Sequence, residues 1–427
     1  MPPTRRWGPH VVPNTLSSSS LTSQTNTQVA SAPQLDEASG PIEAPAARCS
    51  GMLVMIHYEI EVGFAIGRLV SVFYEMAQQL TGSTDRVHFS FTRVGAGRSK
   101  VLPEEFQQFV EFDPRKPSPA SVARLKNYLR DHRIDTLFAL DLSANAGYLG
   151  ELRKAGVKRV FSYWGAPMSG LNSGLRLLLK RLEIALLRRA KPDYFIFESR
   201  AMQNHAVFGR GIAQGRTLVV PTGVDASRFK RTPRDGELVY ERFGIPRHRR
   251  VIVYMGHLHE RKGVHVLMQA AVHLVHEMRR DDIHILFLGN LDDEAQRLLP
   301  YWENAASQIT FGGYQSDIPA LLSGCYAGCI PSTGWDSFPM SSLEMQACAL
   351  PVLASDCQGV PETIADGETG VVVPAGDAQR LAAAIAKLVD DPSGRDRMAR
   401  GARRRIENGF TRQHQLNNLV RCLVERI

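Results

Sequence analysis

The chain is poor in cysteine and has none in paired CxxC spacing: Cys49, Cys325, Cys329, Cys348, Cys357 and Cys422 make six in 427 residues. That pattern argues against a structural zinc or a disulfide framework and for a reduced, cytosolic protein. Cys325 and Cys329, four apart in the run CYAGCIP, are expected on the same side of one strand, in the core. No apolar run reaches the roughly 18 residues that a membrane-spanning helix needs. No GxxxxGKS or GxxxxGKT occurs, which argues against a P-loop kinase or ATPase. No GxGxxG follows the first strand-like run, which argues against a nicotinamide dehydrogenase. D-x-D is absent too, and with it the usual carboxylate clamp on a metal-bound nucleotide sugar. Basic residues are not interleaved with aromatics, so nucleic acid is not an expected partner.

What is present is the composition of a soluble globular protein, with 44% hydrophobic and 22% charged residues. The length accommodates two or three domains. A formal net charge of +8 permits an anionic partner such as a nucleotide phosphate or acidic lipid, and a solvated basic surface explains it equally well. The first fifty residues are rich in Ser, Thr, Pro and Ala and lack any apolar period, so a disordered tail is expected there.

From Met52 onward the chain alternates. MLVMI reads as a strand, a loop with Gly63 and Gly67 follows, and IGRLVSVFYEMAQQL has helical periodicity. VHFSFTR, DTLFAL, VKRVFSY, DYFIF and RTLVV continue as strands with helical patterns between them. After the polar segment PTGVDASRFKRTPRDGE, a linker by composition, the alternation restarts. RVIVYMG, IHILFLG, QITFGG, CYAGCIP and PVLAS read as strands, and DDEAQRLLPYWENA as one of the helices. Short strands separated by helices mean a parallel, doubly wound sheet, so two α/β halves are expected with a cleft at their C-terminal strand ends.

The densest chemistry lies in WDSFPMSSLE, Trp335 to Glu344. Ser341 and Ser342 are N-cap types, so a helix is expected to begin there and run to about Cys348. Asp336 then precedes a helix N-terminus and Glu344 sits one turn inside it. Two carboxylates eight residues apart beside free helix amides suit a ligand with a phosphate and several hydroxyls.

Together, PTGVDASRF (221–229), MGHLHERKG (255–263), DSFPMSSLEMQACALPVLAS (336–355) and GVPETIADGETGVVVP (359–374) resemble glycosyltransferase family 4, retaining enzymes of the GT-B fold. The resemblance is dense from about 190 to 390 and loose before that. It implies two Rossmann-like doubly wound parallel-sheet domains facing across a cleft: 51–225 for the acceptor and 226–405 for the nucleotide sugar. The last helix, 406–427, is expected to pack back toward the first domain. The implied reaction is metal-independent transfer of a hexose, with retention, from a UDP- or GDP-linked donor to a glycan, lipid-linked or small-molecule hydroxyl. No cofactor and no metal are implied.

Residue by residue, the resemblance puts Glu344 on the ribose diol, Asp336 near the donor sugar in place of the family's Glu, and Lys262 on the diphosphate. These three are the implied catalytic residues. Arg261 stands beside that lysine, and His257 occupies a position where the family usually has arginine. Phe338, Met340 and Ser341 would turn backbone groups toward the donor, and Gly63 and Gly67 would let backbone approach the diphosphate. Trp164 and Arg68 fall on the acceptor side, with Trp164 followed by glycine where many members have a histidine near that strand. Glu362 is expected to cap the helix that it begins. The departures keep two alternatives open: a nucleotide-sugar 2-epimerase of the same fold, and a non-catalytic sugar-nucleotide-binding partner.

LRLLLKRLEIALLRRAK (175–191) carries six basic residues against Glu183, and Leu175, Leu178, Leu179, Leu182 and Leu186 form one helical stripe. Such a helix either faces the core with a basic outer side or lies on an anionic membrane as a peripheral contact on its cytoplasmic face. His257, His259, His265, His273 and His276 lack an acidic or cysteine partner at ligand spacing and are expected to be ordinary surface histidines.

Overall fold

The computed structural model describes residues 48–427 apart from 62, 96–98, 169–171, 187–189 and 291–302. The tail expectation and most of the helix expected at 292–305 therefore lie outside the described residues.

Two parallel sheets form the frame. The first has seven strands in the order β3-β2-β1-β4-β5-β6-β7. These are β1 (Met52–Met55), β2 (Val87–Phe91), β3 (Phe109–Glu111), β4 (Thr136–Leu140), β5 (Arg159–Trp164), β6 (Tyr194–Phe197) and β7 (Thr217–Val219). The second has six, in the order β10-β9-β8-β11-β12-β13. They are β8 (Arg250–Met255), β9 (Ile283–Leu288), β10 (Ile309–Phe311), β11 (Ala327–Ile330), β12 (Val352–Ser355) and β13 (Gly370–Val373). In each sheet the order reverses beside the first strand, where a doubly wound fold opens a crevice at its C-terminal strand ends. Two such lobes make the GT-B architecture. The edge strand β3 lies inside the proline-rich loop, where composition masks a three-residue strand.

Helices cover the sheets for the expected reason. In α1 (Phe64–Thr81) the residues Leu69, Val70, Phe73, Met76, Ala77 and Leu80 are buried, and Gly82, at φ 70°, ends the helix in the left-handed region. Ser118 and Ser121 cap the start of α2 (Pro119–Asp131) reciprocally. The final helix, Arg412–Val424, inserts Leu416, Leu419, Val420 and Leu423 into the first lobe's core. There Arg412 pairs with Glu75 of α1 at 2.6 Å. Near the crossing between lobes Val224 bridges Thr411, and a side chain on Gly223 would stand 2.3 Å from the Thr411 carbonyl oxygen.

Two expectations are corrected. Cys325 precedes β11 and packs in one core cluster, whereas Cys329 on β11 packs in another, so the two do not share a strand face. Both remain buried. The helix α4 (Gly174–Leu186) does not face the core through its leucines. Leu175, Leu178, Leu179, Leu182 and Leu186 are 52–82% exposed, and Ile184 is the residue that α4 buries.

Candidate functional site

The loop expected to face the donor, here termed the donor loop, runs from Pro331 to Pro339, between β11 and the helix Met340–Ala347. Pro339, extended at φ −62° and ψ 115°, is the N-cap, so neither serine has that role. Ser342 is instead buried in the first turn and shares a 2.8 Å hydrogen bond with Thr363. The Met340 and Ser341 amides begin the helix, where no preceding turn accepts them. Phe338 buries its ring beside Phe410, which leaves its backbone to line the loop.

Both carboxylates of the pair are buried and each has a basic partner. Lys262 Nζ donates to Asp336 Oδ2 at 2.7 Å, and Ser332 Oγ donates to the same oxygen at 2.8 Å. Lys262 closes a short turn whose next residue, Gly263, has φ 68°. A side chain on Gly263 would come within 1.8 Å of the Pro331 carbonyl oxygen, so glycine there lets the lysine turn nest against the donor loop. Glu344 pairs with Arg68, which reaches it from α1 of the other lobe. Burial pushes the Glu344 carboxyl upward, and the Arg68 guanidinium opposes that shift. Arg68, expected on the acceptor side, thus lies against Glu344, the carboxylate expected on the ribose.

Arg261 stacks over Trp335 at 3.9 Å and donates to its carbonyl at 3.0 Å, which holds the loop tip. His259 accepts from the Arg261 amide at 3.0 Å and so caps that turn. His257 is exposed beside it on the loop after β8. Gly63 is the exposed N-cap of α1, but Gly67 lies within the helix and its amide donates to the Gly63 carbonyl at 2.9 Å. The Gly67 N–H is consumed by the helix and is not offered to a phosphate. Among the described residues no group of three or more His, Cys, Asp or Glu is arranged to hold a metal ion.

Beside this loop the lobes meet in a polar seam that sequence reasoning missed. Ser337 Oγ lies 2.6 Å from Glu198 Oε2 and 2.7 Å from the Gly165 carbonyl oxygen. Glu362 accepts from the amides of Arg200 and Ala201 at 2.9 and 2.7 Å. It therefore caps α5 (Arg200–Asn204) of the first lobe, not the turn that it begins. Gly359 packs so closely that an added Cβ would lie 1.7 Å from the Ser337 carbonyl oxygen.

The first lobe also holds a cavity of about 510 Å³ at the ends of β1, β4 and β5. Its wall includes His57, Arg115, Asp141, Tyr148 and Trp164. His57 Nδ1 lies 3.0 Å from the Leu140 carbonyl, which can only accept, so Nδ1 carries the proton and Nε2 is an acceptor. Asp141 Oδ2 lies 3.8 Å from that Nε2, and burial raises the Asp141 carboxyl to about 6. Among the described residues, His57 Nε2, Tyr148 Oη and Trp164 Nε1 are buried without a hydrogen-bond partner. Isolated polar residues at strand ends are too common for the sequence to have singled out His57 or Asp141.

Residues 239–405 match the family model of the glycosyl transferases group 1, and residues 69–228 match that of glycosyltransferase family 4. A GDP-mannose-dependent alpha-(1-6)-phosphatidylinositol monomannoside mannosyltransferase of Mycolicibacterium smegmatis is 29% identical over 286 residues, 65% of this chain and 72% of that protein. A phosphatidyl-myo-inositol mannosyltransferase of the same organism is 31% identical over 175 residues, 40% of this chain and 42% of its own. The match thus spans less than half the length of that second relative. Among solved structures, Anabaena HepE in complex with UDP superposes with a TM-score of 0.71 at 19% identity, over 88% of this chain and 100% of that one. A glycosyltransferase from Rickettsia africae does so with 0.72 at 18% identity, over 88% and 97%.

Proposed function

Since the chain belongs to the group 1 glycosyltransferases of family 4, we propose that it moves a hexose from a UDP- or GDP-linked donor to an acceptor hydroxyl, with retention and without a metal. The observation that carries this reading is the paired geometry of the donor loop. Lys262 and Asp336 lie 2.7 Å apart beside a helix N-terminus, and Glu344 lies one turn inside the same helix. In the proposed reaction Glu344 accepts from the ribose hydroxyls once Arg68 has moved aside. Lys262, with the Met340 and Ser341 amides, stabilises charge that grows on the diphosphate as the sugar leaves. The acceptor hydroxyl attacks from the face that the leaving group departs, and its proton passes to a phosphate oxygen.

The acceptor is assigned to the cavity of the first lobe. Trp164 and Tyr148 supply ring faces and donors, and His57 and Asp141 supply acceptors, a mixture that suits a ring bearing several hydroxyls. A lipid-linked form of such an acceptor is favoured by α4. Its exposed leucines stand among Arg176, Lys180 and Arg181, a pattern suited to an anionic membrane surface on the cytoplasmic side. No described helix is long and apolar enough to cross a membrane. The phosphatidylinositol-linked substrates in the names of the mannosyltransferase relatives point the same way.

The test is transfer from a panel of UDP-, GDP- and ADP-sugars to hydroxyl acceptors, with and without a metal chelator. Lys262→Ala and Glu344→Ala should each abolish transfer and leave the circular dichroism spectrum unchanged, and the chelator should leave wild-type transfer unchanged. Near-normal turnover in both variants would falsify the assignment. Epimerisation or hydrolysis of donor alone would favour the epimerase reading.

A further inference from the structure

The seam beside the donor loop contains a proton-counting constraint. Ser337 Oγ is within hydrogen-bond distance of two oxygens, Glu198 Oε2 at 2.6 Å and the Gly165 carbonyl at 2.7 Å. A hydroxyl has one proton to donate. The Gly165 carbonyl can only accept, so the Ser337 proton must point at it. The 2.6 Å contact to Glu198 is then relieved only if the carboxyl carries a proton and donates it to Ser337 Oγ. Tyr163 O–H donates to the other carboxyl oxygen, Oε1, at 3.2 Å. Every oxygen in the chain Tyr163, Glu198, Ser337, Gly165 is satisfied in this arrangement. With Glu198 ionised, Ser337 turns to it, and two acceptors are left facing each other at 2.7 Å.

We propose that Glu198 is a positioning residue for sugar transfer that works as a neutral acid, docking the donor loop onto the acceptor lobe only while it keeps its proton. The residue before Ser337 is Asp336, the partner of Lys262, so the seam fixes the loop that carries that carboxylate. The surroundings fit an uncharged Glu198. Tyr163 of β5, Asp141 at the end of β4, and Asp336 and Ser337 of the donor loop face it, and the two aspartates disfavour a third negative charge. Lys262, which packs beside that loop, is already bonded to Asp336. Burial, the leading cause, pushes the carboxyl up to about 7. A group raised in the folded state favours the closed arrangement below its ordinary range and loses that contribution as pH rises to about 7.

For its activity arm the inference rests on the glycosyltransferase reading, and a melting arm stands without it. Melting temperature and kcat/KM are measured from pH 5 to 9 for wild type, Glu198→Gln and Glu198→Ala. The amide of Glu198→Gln donates to Ser337 and accepts from Tyr163, as the neutral acid does. The wild type should lose melting temperature relative to Glu198→Gln as pH rises from 5 to 8, and its kcat/KM should fall about tenfold per pH unit above 7. Glu198→Gln should keep a flatter profile and recover transfer that Glu198→Ala loses. Parallel profiles for wild type and Glu198→Gln would overturn the proposal, as would a Glu198→Gln protein as impaired as Glu198→Ala at pH 6. A pH-dependent melting difference with no transfer from any donor would support the proton lock and refute the glycosyltransferase reading instead.

Discussion

Replacing Leu178 and Leu182 of α4 by serine tests the membrane contact most directly. These side chains are 52% and 53% exposed, so about half of each remains to be buried. At about 1.5–3 kcal/mol for a whole leucine, each contributes about 1 kcal/mol on entering the headgroup boundary. The double variant should therefore lose about 2 kcal/mol, a ~30-fold weaker partition onto vesicles. Arg176→Gln with Lys180→Gln should lose a similar amount, at about 1 kcal/mol for each basic residue near an anionic surface. The two losses differ in kind. The leucine term persists in high salt, whereas the arginine and lysine term disappears in high salt and on neutral lipid. The assay is co-sedimentation with phosphatidylserine and phosphatidylcholine vesicles at low and high ionic strength. Because the changed side chains are exposed, melting temperature should stay within a degree or two of wild type. A partition changed less than threefold by the leucine double variant would refute the reasoning. So would a concentration-dependent dimer that the same variant dissolves, since the stripe would then face a second copy of the chain.

Two packing predictions follow from the donor side. Gly263→Ala should destabilise the protein by about 2–4 kcal/mol, because it places a Cβ 1.8 Å from the Pro331 carbonyl oxygen at a φ of 68°; a chemical denaturation midpoint like that of wild type would contradict the close approach. Arg68→Ala removes the partner of a buried carboxylate and should cost about 3 kcal/mol at neutral pH. Burial already raises Glu344, and removing Arg68 raises it further, so the penalty should shrink as pH falls toward the ordinary carboxylate range, where the carboxyl is already protonated in both folded proteins. A penalty equal at pH 4 and pH 8 would mean that the pair adds nothing beyond packing.

The frame was legible because its signals are local. Apolar runs such as RVIVYM and IHILFL are wholly or nearly buried strands, and the stripe in α1 points where its 3.6-residue period directs it. The grouping of Asp336 and Lys262, with Glu344 one turn beyond, was legible for the same reason: these residues belong to compact motifs. Errors arose where a local preference met a distant partner. Ser341 and Ser342 are good caps in isolation, but Pro339 fixes the helix start and Thr363 takes Ser342 inward. Glu362 has the form of a first-turn acid, yet its two acceptor oxygens reach amides 161 and 162 residues earlier in the chain. The leucine stripe was ambiguous because periodicity records a face and not what covers it.

The pairings around the loop sharpen what Asp336 can do. A carboxylate beside the donor sugar must have an oxygen to offer it. One oxygen of Asp336, Oδ2, already receives both Lys262 and Ser332. The aspartate is one methylene shorter than the glutamate usual in the family, so it stays close to Pro331–Ser332 and holds the lysine there. On the proposed reaction, an incoming diphosphate then competes with Asp336 for Lys262, just as the ribose competes with Arg68 for Glu344. The first exchange puts one anion in place of another on Lys262, whereas the second replaces a cation on Glu344 by neutral hydroxyls, and Arg68 is carried by the opposite lobe. Donor entry therefore has to release an interlobe ion pair, while Ser337 and Glu198 keep the same loop docked. The shortened carboxylate makes the lysine's position, more than direct contact with the sugar, the quantity that this loop controls.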